Sequence, residues 1–246
     1  MSIFLTLAFL FFIGSVTGWG MELLFRRFIA DSNPERKWIN PGFCMGPYLP
    51  LYGCGLCSLY LIASLEKYAL FQNAVWNRMM LFLGMALCMT IIEYIAGVIT
   101  LKIAMVRLWD YSSEWMNVQG IICPKFSLIW AMLGAMYYFL IHPYILDALS
   151  WLSQNLAFSF FIGVFYGVFT VDFIYSSKIL VKLKKFAEDN GVIIRYEHLK
   201  SHIRSVHDRT KQKYRFLLPM QFDRPLSEYL RDRRSSFEQR IKKHKK

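Results

Sequence analysis

Three acidic residues, Glu22, Glu93 and Asp172, lie within or at the ends of long apolar runs. A carboxylate in such a place is expensive to keep and points to a site by default. Two of the three head a repeated polar pattern. Glu22 precedes Trp38 by sixteen positions, with Asn40, Gly42 and Pro47 following; Glu93 precedes Trp109 by sixteen, with Asn117, Gly120 and Pro124 following. The Asn-to-Pro step is seven residues in both, and six extra residues separate Trp from Asn in the second. A duplicated unit framing one site is the expectation, as in transporters built from internal repeats. Asp110 and Tyr111 lie beside the second Trp. Carboxylates, amides and aromatic rings together suit a cationic or protonatable ligand, or a proton relay. Free N–H groups at helix starts near Pro47 and Pro124 would suit an anion instead.

The elements that must position these residues follow from composition. The chain is 55% hydrophobic and 17% aromatic with a positive mean hydropathy, which excludes an ordinary soluble domain. Five apolar stretches, about 3–24, 49–65, 79–101, 126–146 and 156–177, approach or exceed the roughly 20 helical residues that cross a ~30 Å hydrocarbon layer. The fold expected is therefore all-α: a polytopic membrane protein with five transmembrane helices and two repeated hairpins over residues 1–181, followed by a basic helical tail, 182–246. The first stretch lacks a preceding positive charge and a small-residue cleavage pattern, so it reads as a retained anchor. Pro41, Pro47 and Pro50 crowd the start of the second, placing the regular helix near Pro47 or Pro50. The charge-free segment before it would then have to be buried in protein or line a wet cavity.

Basic residues set the orientation. Arg26, Arg27, Arg36 and Lys37 fall between the first two stretches, and Lys102, Arg107 and Lys125 between the third and fourth; the other two loops hold only Lys67 and Arg78. The positive-inside rule puts both motif loops and the tail in the cytoplasm and the N-terminus outside, in a bacterial inner membrane. All three acids then fall toward the cytoplasmic half.

Nearly all of the net charge of +12 is in the tail, where 19 Lys/Arg against 8 Asp/Glu leave +11 over residues 182–246. Lys182, Lys184, Lys185, Arg233, Arg234, Lys242 and Lys243 are its candidate contacts with anionic lipid or a cytoplasmic partner. The last apolar helix should continue through Lys185 and stop at Asp189–Asn190–Gly191. Beyond it, Leu199, Ile203 and Val206, and later Leu226, Tyr229, Leu230, Phe237 and Ile241, have amphipathic helical spacing. No nucleic-acid motif accompanies the basic charge.

Enzyme chemistry finds little support. There is no G-x-x-x-x-G-K-[ST] phosphate loop, no G-x-S-x-G and no H-E-x-x-H. Cys54 and Cys57 form a C-x-x-C with no base beside it in sequence, which fits helix contact better than redox or metal chemistry. No catalytic residue, metal or cofactor is expected. Five cysteines in or beside apolar stretches argue for reduced thiols.

Trp38–Ile39–Asn40–Pro41–Gly42–Phe43, then Gly46–Pro47, Pro50 and Tyr52–Gly53, resembles the first signature of the putative ABC-transporter type IV family of CmpB-like bacterial integral membrane proteins. Leu108–Trp109–Asp110–Tyr111–Ser112, Asn117, Gly120, Ile122–Cys123, Ser127 and Trp130 are similar to its second, and the likeness covers about residues 10–180. The resemblance implies a permease-like transporter subunit of unknown substrate, with a separate cytoplasmic ATPase as partner and a homo-oligomer as a further option. The alternative is a non-transporting interaction or regulatory protein whose tail docks a cytoplasmic partner or anionic lipid. An intramembrane lipid enzyme ranks below both, since no nucleophile–base pair is visible.

Overall fold

A computed structural model describes residues 2–30, 33, 36–68, 73–190, 193–195 and 199. The chain divides into two units, 1–208 and 209–246, and every described residue belongs to the first. The basic residues Arg233, Arg234, Lys242 and Lys243, and nearly all of the expected tail helices, lie outside the described residues.

The elements are helical almost throughout. Helix α1 (Ile3–Phe28) starts at Ser2, whose Oγ accepts from Leu5 N at 3.3 Å, and ends with Arg26 and Arg27, cations suited to a helix C-terminus. Helix α2 (Pro50–Ala63) runs into a 3₁₀ turn, Ser64–Tyr68. Helix α3 (Ala74–Ala104) is capped by Asn73, which accepts from Val75 N at 2.9 Å, and closes at Met105 in the left-handed region (φ 52°). Helix α4 (Pro124–Met136) passes through a π turn (Tyr137–Ile141) into α5 (His142–Gln154). A 3₁₀ turn, Leu156–Phe158, then leads into α6 (Ser159–Asn190). Pro50 and Pro124 occupy the first turns of α2 and α4, where the missing N–H costs nothing.

Four of these segments are long and apolar enough to cross a membrane: Ile3–Phe28, Ala74–Lys102, Pro124–Gln154 and Leu156–Asp189. The second expected span is the exception. Its α-helix is 14 residues, because the prolines delay its start and the 3₁₀ turn takes over after Ala63. The fourth runs past the expected end at 146, and the last continues through Lys185 as expected and is described to Asn190, while the expected stop at Gly191 lies outside the described residues. A parallel two-residue ladder joins β1 (Val106–Arg107) to β2 (Ile194–Arg195), so the chain beyond α6 returns to the loop after α3. Nothing in the hydropathy pattern marks these four residues as paired strands.

Side-chain contacts fix relative directions. A Cβ at Gly18 would overlap Tyr52 and one at Gly14 would meet Leu56 at 2.8 Å, so α1 and α2 are antiparallel and very close. Gly55 faces Met89 and Gly84 faces Ile62, making α3 antiparallel to α2; Gly97 faces Ile121 and Gly134 faces Met85, making α4 antiparallel to α3. Helix α6 runs parallel to α1, with Tyr166 donating to Ala8 O at 3.1 Å and Phe169 packed on Phe11 at 5.5 Å. Small residues at such contacts let backbones approach where lipid supplies no hydrophobic drive. The core gathers Leu10, Leu59, Met85, Met89, Trp130, Tyr137 and Leu152.

Helix α3 sorts its faces with period four. Leu81, Met85, Met89, Glu93 and Gly97 are buried, while Leu83, Leu87, Ile91, Ile95 and Ile99 are exposed on the apolar flank. Glu93 thus belongs to the packed face, not the outward one, as the cost of a lipid-facing carboxylate requires.

Candidate functional site

The two polar loops, 29–49 and 105–123, are knotted by the residues the sequence singles out. Asn40 Oδ1 accepts from Gly42 N at 3.2 Å and from the Trp19 indole at 3.0 Å, while its amide donates to the carbonyls of Cys44 and Met45, both at 3.0 Å. Asn117 does the same work in the second loop. Its Oδ1 accepts from Gly120 N at 3.0 Å, and its amide donates to Ser112 O and Glu114 O. Each amide is occupied by its own loop backbone, a local use that asparagine side chains often take. The Trp109 indole donates to Ile121 O at 2.9 Å, so this Trp is a loop brace. Trp38 differs: it is 45% exposed, with the Arg27 guanidinium 5.1 Å from its ring centroid and Phe28 edge-on.

Asp110 closes the second loop. It accepts from Arg107 at 2.7 Å, from the Ser112 hydroxyl, and from Ser112 N at 3.1 Å. Burial alone would raise its pKa; the bonds from Ser112 and Arg107 outweigh that and hold it below the ordinary carboxylate value. Gly120 must be glycine here twice over. Its φ of +67° is left-handed, and a Cβ would strike Arg107 Nη1.

Asp172 staples α6 to the first loop. It accepts from Met45 N at 3.1 Å, Gly46 N at 2.8 Å, Ser176 Oγ at 2.9 Å and, through a short bond, the Tyr48 hydroxyl. Burial, then the bond to Asp172, pushes the Tyr48 hydroxyl pKa well up, keeping it a donor. Residues 41–49 are non-helical, yet Cys44 and Tyr48 are buried, so this irregular backbone is enclosed by protein as the apolar setting demands.

Glu22 and Glu93 remain, and the fold brings them within electrostatic reach of each other. Glu22 accepts from Arg26 Nε and from the Tyr52 hydroxyl, each at 2.8 Å. Glu93, 2% exposed, accepts from the Tyr111 hydroxyl at 3.1 Å through Oε1. The Trp130 indole neighbours the same carboxyl, but Oε2 lacks a partner in hydrogen-bond geometry. Burial first, and then the Glu93 charge, raises the Tyr111 pKa, so this hydroxyl too is held as a donor. Tyr52 packs on Trp130 at 5.3 Å and Tyr111 stacks on Phe126 at 4.2 Å. The site is therefore two carboxylates, each given a tyrosine hydroxyl, walled by aromatic rings.

Of the eight residues singled out, Glu22 and Glu93 meet at this centre. Asn40, Asp110, Asn117, Trp109 and Asp172 build the loops around it, and Trp38 lies at the exposed edge beside Arg27. Tyr52 and Trp130 enter the centre without having been named for it. The signal for Tyr52 was Gly14-x-x-x-Gly18, a close-contact motif that fixes which part of α2 faces Glu22. The equal Asn-to-Pro spacing does not carry through to the helices: α4 begins at Pro124 but α2 begins at Pro50, beyond Pro47. The tyrosines also differ in origin, one from the first turn of α2 and one from the loop ahead of α4. Cys57 donates to Leu7 O at 3.3 Å across the α1–α2 contact, a packing use.

A family model described as "Putative ABC-transporter type IV" matches residues 9–177. No curated protein and no solved structure matches the chain.

Proposed function

From the premise that this chain belongs to the putative ABC-transporter type IV family, we propose that it is the permease-like membrane subunit of a transporter, working through the Glu22–Glu93 centre. The observation that carries this reading is Glu93, a carboxylate buried to 2% exposure on the packed face of α3 with one oxygen unsatisfied. Such a group is costly to keep, and packing alone would prefer an apolar side chain. A separate cytoplasmic ATPase is the partner implied by the family and by the lack of a phosphate loop in the chain. The substrate class suited to a centre of this charge is cationic or protonatable.

In this reading the chain crosses a bacterial inner membrane five times, with both polar loops and the tail inside. Support comes from the alternating helix directions and from the reach of α2 with its 3₁₀ turn. Fourteen residues at 1.5 Å and five at 2.0 Å amount to about 31 Å, close to the hydrocarbon thickness. Single cysteines at positions 38 and 115 should resist an impermeant thiol reagent in whole cells and react after lysis. Labelling from outside would overturn the topology and the site with it.

Activity is tested in proteoliposomes with and without a cytoplasmic ATPase, against a panel of cationic and weakly basic metabolites. Glu93→Gln should leave the detergent-solubilised protein monodisperse and reduce uptake by at least an order of magnitude. Uptake at the wild-type rate would make Glu93 a structural acid only.

The net charge of +11 beyond residue 181 favours a second reading, a tail that docks anionic lipid or a cytoplasmic partner. Vesicles containing anionic lipid should bind a soluble 196–246 peptide, and binding should fade as salt shortens the Debye length to ~10 Å at 0.1 M. Salt-insensitive binding, or binding equal on neutral lipid, would remove electrostatics from the tail's role.

A further inference from the structure

Three buried side-chain atoms lack a hydrogen-bond partner among the described residues: Ser15 Oγ, Asn77 Oδ1 and Glu93 Oε2. Only the last belongs to an ionisable group. Its surroundings come from four elements. Helix α1 presents Glu22 and Arg26, α2 presents Tyr52, the loop before α4 presents Tyr111, and α4 presents Trp130. The cation in this set is committed, since Arg26 Nε lies 2.8 Å from Glu22 Oε1. No Lys or Arg among the described residues is bonded to Glu93. The nearby charge it does feel is Glu22, of its own sign.

A bare carboxylate in this position would carry an uncompensated charge beside a second negative group. Two carboxylates within reach of each other cannot both ionise freely in a poorly solvated site. An oxygen closed off by packed rings also has little room for a ligand larger than a hydrogen ion. The neighbouring Glu22–Arg26 pair is not sealed, with side-chain exposures of 21% and 17%. It reaches the molecular surface, and the Tyr52 hydroxyl donates to Glu22 Oε2 at 2.8 Å.

We propose that Glu93 is a proton-binding site, carrying an exchangeable proton on Oε2, with Tyr111 fixing the carboxyl group and the Arg26-paired Glu22 as its electrostatic partner and route to water. The proton comes from and returns to solvent, and Glu93 cycles between neutral acid and carboxylate. This rests on the reading of the two acids as the working centre, and it specifies the proton as the species bound at Glu93.

The test uses the full-length protein reconstituted in lipid and does not depend on a known substrate. Infrared difference spectra against pH should contain a protonated-carboxyl band that Glu93→Gln removes and Glu22→Gln keeps. Tyr111→Phe should retain the band at a shifted frequency, because one hydrogen bond to the carboxyl is lost. Independently of any variant, a hydrophobic carbodiimide, which adds to protonated carboxyl groups, should label Glu93 by mass spectrometry, with labelling suppressed at high pH. A wild-type spectrum without the band, a band that survives Glu93→Gln, or a band lost in Glu22→Gln would overturn the assignment. A Glu93 band and label in a protein that transports nothing would sustain the proton site while removing the permease reading.

Discussion

Asp172→Ala should cost about 4 kcal/mol of stability, a large fraction of the ~5–15 kcal/mol that a protein of ordinary marginal stability has to lose. The carboxylate is the shared acceptor for Met45 N, Gly46 N and the Tyr48 hydroxyl, and Tyr48 is 3% exposed. Removing it leaves the buried Tyr48 hydroxyl and two half-buried N–H groups facing an alanine methyl, at ~1–3 kcal/mol for a fully buried orphan and less for the others. Nothing helical can rescue residues 41–49, since Pro41 and Pro47 interrupt the segment. Thermal unfolding in detergent, followed by tryptophan fluorescence, checks the size. Asp172→Asn, which keeps one acceptor oxygen, should fall between wild type and alanine. A wild-type melting curve for the alanine variant would mean that the loop finds other acceptors.

Gly18→Leu should be as damaging, for the opposite reason. Even a Cβ at this position overlaps the Tyr52 ring, and three further carbons would force α1 and α2 apart. Overpacking of this kind costs ~1–3 kcal/mol where a core can yield. Here the displaced ring also carries the 2.8 Å bond to Glu22, so the total should be about 3 kcal/mol or more. Gly20 supplies the control within the same helix, because an added Cβ there meets nothing within 4 Å. Gly20→Leu should therefore express and melt like the parent. Equal behaviour of the two leucine variants would show that the close α1–α2 approach is not needed for folding.

These two effects mark where the sequence could be read and where it could not. Pro50 and Pro124 announce their helix starts, because backbone chemistry there is local. The inward aim of Glu93 was legible from cost alone. The roles of Asn40 and Asn117 were not, since an amide in a polar loop can bind a ligand or its own backbone, and only the fold decides. Asp172 looked like a third site acid. What identifies it as a staple is 126 residues away at Gly46, beyond the reach of spacing arguments. Tyr52 and Trp130 entered the sequence reading only as members of the two signatures, because spacing does not say which helix each one faces. The second span was expected as one helix over 49–65, and its α-helix is 14 residues because apolar composition does not reveal where α geometry gives way to a 3₁₀ turn.

The π turn at Tyr137–Ile141 has a consequence for phase. A turn closed from i to i+5 holds one residue more than its α counterpart. The segment from Pro124 to Gln154 therefore carries a surplus residue, and only the wide turn absorbs it. Below the turn, Trp130 and Gly134 face the core; above it, Ile145, Leu149 and Leu152 do. Deleting one residue within 137–141 would let ordinary α geometry close the gap with both faces still in phase. Deleting one at Met132 would instead rotate the end that carries Trp130 by about 100° against the rest of the segment, swinging Trp130 away from Glu93. The length of this helix is thus set by angular arithmetic as much as by the thickness it spans, and the surplus falls where Tyr137 bonds His142 Nδ1 at 2.9 Å.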